Sequence, residues 1–193
     1  PYSLSCATGI NPIDVSIHDN IASAIAELVR EARVDFGIGL ASGDMSSLKT
    51  RPLTSDTLML VCRREHHFSK LKSCTWKDLK HEPVIAFSAG SSVRPLMEQA
   101  FRENGLQLRP AIETSHLSSA EGLALKGLGV AVIPSTRACS ISDPRLRALP
   151  ITGPAVTRKL VIIERRGRTL SPAAKVLCDT LTELTIQVPD MAG

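Results

Sequence analysis

Short apolar runs typical of strands alternate with amphipathic stretches typical of helices along most of this chain. Residues 13–17 alternate apolar and polar side chains with period two, which predicts a strand. Apolar residues then recur at helical spacing from Ile21 to Val29, and Asp19 or Asn20 is expected to cap that helix. Residues 35–40 predict the next strand. A strand–helix–strand unit of this kind joins parallel strands by a right-handed crossover.

The same alternation continues to the end of the chain. Asn104-Gly105 is typical of a helix C-terminus, and Ser171-Pro172 is typical of a helix start. The pattern as a whole predicts an α/β fold with mostly parallel sheets. The further predicted elements are strands at 57–63, 83–87, 111–114, 130–133, 146–150 and 159–163, a capping box and short helix at 75–79, a helix at 93–101, a helix from Ser118 or Ser119 to Lys126, and a helix from Pro172.

The composition and charge of the chain limit the classes of function that it can have. Hydrophobic residues make up 43% of the chain but aromatic residues only 3%. We therefore expect a core built from Val, Ile, Leu and Ala, and the composition argues against nucleic-acid binding by stacked aromatic platforms. The net charge of +4 comes from scattered basic residues, without a basic stripe along a helix. No stretch approaches the ~20 apolar residues of a membrane span.

The five cysteines are odd in number and contain no CxxC pair. Cys62 lies inside an apolar run, and Cys178 lies on the apolar face of a predicted helix. Both positions favour small buried hydrophobes over a disulfide scaffold or a zinc site. We therefore expect a reducing compartment, the cytoplasm.

Five segments, in order, are similar to the effector-binding domains of LysR-type transcriptional regulators. Val34–Gly39 resembles their "(v)D(l/f)(g/a)i" strand, and Leu58–Phe68 resembles "lvlvvpxxHPl" with His67-Phe68 in place of His-Pro. Thr75–Leu79 matches the "xxxdL" turn that follows. Gly122–Pro134 is similar to "vxxGlGiallP", and Arg165–Ala174 to "rrgrxlspaa".

This resemblance implies two Rossmann-like subdomains joined by two crossover strands, a periplasmic-binding-protein type II-like fold. Subdomain I would comprise residues 1–63 plus 160–193, and subdomain II residues 64–159. The family's N-terminal winged helix-turn-helix DNA-binding domain would lie outside this chain. Residues 1–12 are too few for the family's opening strand and helix, and Gly9–Pro12 is turn-like.

A small effector is expected between the two subdomains, where helix N-termini offer free backbone amides to an anion. Serine capping explains Ser88–Ser92 equally well, and tight helix-to-strand packing explains Gly129 equally well. Helix capping is the simpler explanation of Asn20, and a surface or packing role is the simpler explanation of His116. The candidate ligand-binding residues are Asn20, Leu40, Ser88, Gly90, Ser91, Ser92, His116, Leu117, Ser118 and Gly129.

Catalytic and metal-binding motifs are missing from the sequence. It contains no HExxH, no GxSxG and no Walker loop. His66 and His67 are adjacent, and in a strand their rings would point to opposite faces, which makes a poor metal site. We therefore expect no catalytic residues, no metal and no cofactor.

The expected partners are a small organic anion and further copies of the chain, as a homodimer or homotetramer. DNA would be contacted only through the domain outside this chain, and no membrane contact is expected. The alternatives are a periplasmic solute-binding protein of a transporter, which an upstream signal peptide would favour, and an enzyme on a two-lobed scaffold, which lacks candidate catalytic residues.

Overall fold

The structure, a computed structural model, describes residues 2–8, 10–41 and 44–186. Most strands follow the apolar runs of the sequence. β4 is longer than its apolar run, since it begins at Leu48 and its first half consists mostly of exposed and half-buried residues. The strands are β1 (Tyr2–Thr8), β2 (Ile10–Ile17), β3 (Gly37–Leu40), β4 (Leu48–Arg63), β5 (Cys74–Thr75), β6 (Val84–Phe87), β7 (Ile112–Thr114), β8 (Val130–Pro134), β9 (Leu146–Thr152) and β10 (Thr157–Arg165).

Helices separate most of these strands. In the described part of the chain, none of them is long and apolar enough to cross a membrane. The helices are α1 (Ala22–Arg30), α2 (Arg94–Glu103), α3 (Leu117–Leu125), α4 (Ser135–Ala138) and α5 (Pro172–Ile186), with 3₁₀ helices at His67–Lys70 and Trp76–His81.

Several predicted helix boundaries are confirmed. Thr75 N–H donates to the Asp78 carboxylate at 2.7 Å, and the Thr75 side chain accepts from Asp78 N–H, which is the reciprocal pair of a capping box. Ala174 N–H donates to the Ser171 hydroxyl at the start of α5. Gly105, after α2, has φ +71°, which is the left-handed conformation that glycine tolerates best.

The chain divides into two compact units, and two strands contribute residues to both of them. Unit 1 contains Pro1–Thr54 and Leu160–Pro189, and unit 2 contains Ser55–Lys159. The division therefore falls inside β4 and inside β10, earlier in β4 than the subdomain boundary expected after Arg63.

Unit 1 corrects three predictions. Residues 10–12 are not a turn, because they belong to β2, which pairs antiparallel with β1; Gly9 lies outside the described residues. The predicted parallel crossover is also wrong, since β2 pairs with the preceding β1 and β3 pairs antiparallel with β10. Neither Asp19 nor Asn20 caps α1, whose N-cap position is Ile21, without a side-chain capping hydrogen bond.

Unit 2 contains the predicted parallel crossovers. β6 pairs in parallel with β7 on one side and with β8 on the other. The predicted strands at 111–114 and 130–133, with the predicted helix between them, are therefore parallel to each other. β4 pairs antiparallel with both β8 and β9. The predicted apolar face of α2 is also confirmed, because Met97, Ala100 and Phe101 are buried in the core of this unit. Ligand sites in such sheets form beyond the carboxyl ends of the parallel strands.

Candidate functional site

Serine residues follow the carboxyl ends of three neighbouring strands in unit 2. Ser88 follows β6, Ser115 follows β7, and Ser135 follows β8. Because β6 is parallel to both neighbours, these ends meet at one edge of the sheet, which we call the carboxyl edge. This edge carries hydroxyl groups that can donate to or accept from a ligand.

Ser88 and Ser115 are in direct contact. Their hydroxyl oxygens are 3.0 Å apart, so one hydroxyl donates to the other. Ser88 N–H also donates to Thr114 O, which ties the start of the loop after β6 to the end of β7. Two strand ends that the sequence separates thus present one continuous polar surface.

The loop from Ser88 to Ser92 forms a tight turn before α2. Ser91 N–H donates to Ser88 O at 2.9 Å, and the Ser91 hydroxyl accepts from Val93 N–H at 3.1 Å. Gly90 is exposed, whereas Ser91 and Ser92 are half-buried. The loop is therefore ordered by its own hydrogen bonds, with Gly90 at its exposed tip.

The N-terminus of α3 lies beside this loop, after β7. His116 occupies the N-cap position without a side-chain capping bond, and Leu117 and Ser118 are exposed. The prediction that Ser118 or Ser119 caps this helix is wrong, because both lie inside its first turn. The first hydrogen bond of this helix runs from Ala120 N–H to His116 O. The N–H groups of residues 117–119 therefore have no acceptor within the helix and are available to an anion.

Arg94 supports this edge and was missed by sequence reasoning. Its guanidinium donates to Phe87 O at 3.0 Å, to the Glu113 carboxylate at 2.7 Å and to the Glu98 carboxylate at 2.7 Å. The hydrogen bond to Glu113 is the main cause that raises the pKa of Arg94 above its ordinary value. Arg94 thereby holds the start of α2 against β6 and β7. Its spacing of four residues from Glu98 was the available signal.

A buried ion pair supports the same edge from the other side and was also missed. Arg158 donates two hydrogen bonds to the two carboxylate oxygens of Asp56, at 2.7 and 2.6 Å. Thr136, in α4, donates to the same carboxylate at 2.9 Å, and Thr57 N–H donates to the Ser135 hydroxyl at 3.2 Å. These bonds fix the carboxyl end of β8 against β4 and β10.

Gly129 is not brought together with the serine residues. It precedes β8, next to Pro83 at the amino end of β6, and thus lies at the opposite edge of the sheet from Ser88. A Cβ atom at Gly129 would clash with Pro83 O, the atom that accepts from Val130 N–H. Close backbone packing accounts for this glycine.

Replacing Gly129 by alanine is expected to lower the free energy of unfolding of the domain by about 1–3 kcal/mol, the usual cost of overpacking. The contacted atom is a backbone oxygen, so it cannot move away as a flexible side chain does. Urea denaturation measures the effect, with Gly122→Ala as the control, because a Cβ at Gly122 meets nothing within 4 Å. Equal stability of the two variants would contradict this packing role.

The two remaining candidate ligand-binding residues, Asn20 and Leu40, belong to unit 1. Asn20 is exposed between β2 and α1. Leu40 is half-buried at the end of β3, opposite Leu160 in β10.

Three cysteine thiols are buried and remain protonated at neutral pH. Burial raises the pKa of Cys62 to about 11, of Cys74 to about 12 and of Cys178 to about 11. The expectation that Cys62 and Cys178 behave as buried hydrophobes is confirmed, since both are fully buried.

His66 and His67 correct another prediction. β4 ends at Arg63, so the two histidines lie in the turn that follows, with His66 at the N-cap position of a 3₁₀ helix. Their rings do not point apart. They stack with centroids 4.5 Å apart, and the Nε2 atoms of both rings are 3.3 Å from oxygens of Glu82.

The model of one protein family, described as the LysR substrate binding domain, matches residues 12–185. Among curated relatives, an uncharacterised HTH-type transcriptional regulator of Shigella flexneri, YfeR, is 27% identical over 171 residues, covering 89% of this chain and 55% of the relative. The chain spans about half the length of the curated relatives it matches. These relatives are regulators, which confirms the prediction of a non-enzymatic chain and does not support the transporter alternative.

Solved structures show the same fold. The effector-binding domain of QuiR in complex with shikimate has a TM-score of 0.76 at 22% identity, covering 88% of this chain and 80% of that one. The BenM effector-binding domain with benzoate has a TM-score of 0.76 at 21% identity, with 88% and 77% covered. The predicted α/β fold of the periplasmic-binding-protein type II-like class is thereby confirmed.

Proposed function

Because this chain belongs to the LysR substrate-binding domain family, we propose that it is the effector-sensing part of a longer transcriptional regulator. The match of the family model over residues 12–185 is the observation that carries the proposal. The two units would correspond to the regulatory subdomains I and II. The longer protein would act in the cytoplasm as a homodimer or homotetramer and contact DNA through a separate helix-turn-helix domain.

The proposed effector is a small organic anion bound at the carboxyl edge of unit 2. Two features support an anion: the N-terminus of α3, which has no side-chain capping hydrogen bond, and the hydrogen-bonded hydroxyls of Ser88 and Ser115. Shikimate and benzoate, found in the QuiR and BenM structures, are both carboxylic acids.

Such a site acts by differential affinity and requires no reaction. An effector that binds one arrangement of the domain more tightly than another shifts the population toward it, typically with ~1–3 kcal/mol of coupling. The hydrogen bonds of Arg94 and the Asp56–Arg158 pair make the edge rigid before ligand arrives. A preorganised edge of this kind loses little conformational freedom on binding.

A thermal-shift screen of small carboxylic acids tests the proposal, starting with shikimate and benzoate. An acid present at about 100 times its dissociation constant is expected to stabilise the domain by roughly 2.7 kcal/mol. Ser118→Phe should abolish this shift without changing the unfolding temperature of the ligand-free protein, because Ser118 is exposed. Ser88→Ala, which removes one hydroxyl of the serine pair, should weaken it.

Ser73→Phe is the matched control, since Ser73 is an exposed serine of unit 2 outside the carboxyl edge. It should keep the full ligand shift. A full shift in Ser118→Phe, or an equal loss in Ser73→Phe, would rule out the carboxyl edge as the effector site.

A further inference from the structure

Two histidines and a glutamate converge at the edge of unit 2 opposite the carboxyl edge. His66 follows the end of β4, and Glu82 is separated from the start of β6 by Pro83 alone. β4 is antiparallel to β8, whereas β6 is parallel to it, so the end of β4 and the start of β6 lie at the same edge. The nitrogen and oxygen donors of His66, His67 and Glu82 all lie within 4.8 Å of one another.

We propose that His66, His67 and Glu82 form a binding site for one divalent transition-metal ion such as Zn²⁺. Two imidazole nitrogens and one carboxylate oxygen are a donor set that zinc accepts with tetrahedral geometry, with water in the remaining position. Imidazole ligands favour zinc, nickel and copper over magnesium and calcium, which prefer oxygen donors. This proposal does not depend on the proposed effector site, which lies at the other edge.

The backbone holds both ligand-bearing segments in place. His66 N–H donates to Arg63 O at 3.0 Å, and Ser69 N–H donates to His66 O at 3.0 Å. Glu82 N–H donates to Leu79 O, and the next residue, Pro83, is hydrogen-bonded through its carbonyl to Val130 of β8. The ligands are therefore attached to the sheet, and small side-chain rotations suffice to bring the donors to about 3.3 Å apart, the edge of a zinc tetrahedron with Zn–N near 2.0–2.1 Å.

Exposure differs among the three side chains in a way that suits metal entry. The side chains of His66 and Glu82 are 19% and 16% exposed, whereas that of His67 is 64% exposed. Two ligands are thus fixed in the protein surface, and the third can close over the ion. Water has access to the remaining coordination position.

In the metal-free protein, His66 accepts a hydrogen bond that metal binding would break. Phe68 N–H donates to His66 Nδ1 at 3.3 Å, which places the His66 ring proton on Nε2, facing Glu82. A metal at Nε2 displaces that proton to Nδ1 and breaks the bond from Phe68. We therefore expect the site to bind Zn²⁺ less tightly than a structural zinc site with four protein ligands. The bound ion would connect the two ends of the segment between β4 and β6.

Isothermal titration of the untagged protein with ZnCl₂ tests the proposal, in a Cys6→Ser/Cys139→Ser background that removes one exposed thiol and one on a described strand. We expect one Zn²⁺ per chain. Both His67→Gln and Glu82→Gln should weaken binding at least about tenfold, because even outer-shell partners of a metal contribute 10- to 100-fold. X-ray absorption should show only nitrogen or oxygen neighbours, near about 2.0–2.1 Å, and no sulfur near about 2.3 Å.

His81→Gln is the matched control, because His81 is exposed and adjacent to Glu82 but outside the cluster. It should bind Zn²⁺ like the parent protein, and so should Ser118→Phe. Far-UV circular dichroism of each metal-free variant verifies folding. His67→Gln is the variant expected to disturb folding least, because the His67 side chain is exposed. Substoichiometric binding, sulfur in the metal shell, or an equal loss in His81→Gln would overturn the site in favour of a purely hydrogen-bonded His–Glu–His cluster.

Discussion

Replacing Asp56 by alanine is expected to lower the free energy of unfolding by about 3–5 kcal/mol, because it leaves the Arg158 guanidinium buried without its carboxylate partner. Asp56 and Arg158 are only 5% and 9% exposed, and the two side chains share two hydrogen bonds. The same substitution removes the acceptor of Thr136. Chemical denaturation followed by circular dichroism measures the loss.

The double variant Asp56→Leu/Arg158→Met separates the ion pair from the packing around it. Exchanging a buried pair for apolar side chains of similar size is often neutral or stabilising. The double variant should therefore be markedly more stable than Asp56→Ala. A cost of less than about 1 kcal/mol for Asp56→Ala, the range of an exposed pair, would contradict the buried arrangement.

Replacing Trp76 by alanine is expected to cost about 3–5 kcal/mol of unfolding free energy, as for other large aromatic side chains removed from a core. Trp76 is fully buried and meets Phe101 of α2 edge-on, with ring centroids 5.9 Å apart. Its Nε1–H donates to Pro154 O at 2.9 Å. Since Trp76 is the single tryptophan of the chain, circular dichroism must replace fluorescence as the measure of unfolding.

Trp76→Phe distinguishes packing from hydrogen bonding at this position. Phenylalanine keeps much of the contact with Phe101 but leaves Pro154 O without its donor, so an intermediate loss is expected. If Trp76→Phe is as unstable as Trp76→Ala, the hydrogen bond to Pro154, rather than the ring volume, dominates the contribution of Trp76.

Local patterns predicted what depends on neighbours in sequence. The buried face of α2, including Met97, follows from helical spacing alone, and the capping box at Thr75 needs only Asp78 three residues later. Sheet pairing is different, because the partner of a strand is chosen by the whole fold. The pattern of residues 35–40 is the same whether β3 pairs in parallel or, as observed, antiparallel with β10.

The candidate site was predicted in part for the same reason. Ser88 and Ser118 follow strands that the sequence pattern predicts, and this places them at the carboxyl edge. Asp56 and Arg158 are 102 positions apart, so nothing in the sequence pairs them. His66 and His67 were misjudged because strand geometry was extended past Arg63, where β4 ends.

The division of the chain into these two units has a consequence for synthesis on the ribosome. The segment Ser55–Lys159 of unit 2 is continuous, whereas unit 1 joins an early and a late part of the chain. Unit 2 can thus begin to fold as soon as residue 159 has left the exit tunnel, while the first 54 residues wait for β10 and α5. During that interval, Leu48 and Ala26 lack their native neighbour Ile163, so their apolar surface stays open to association with other chains until β10 is made.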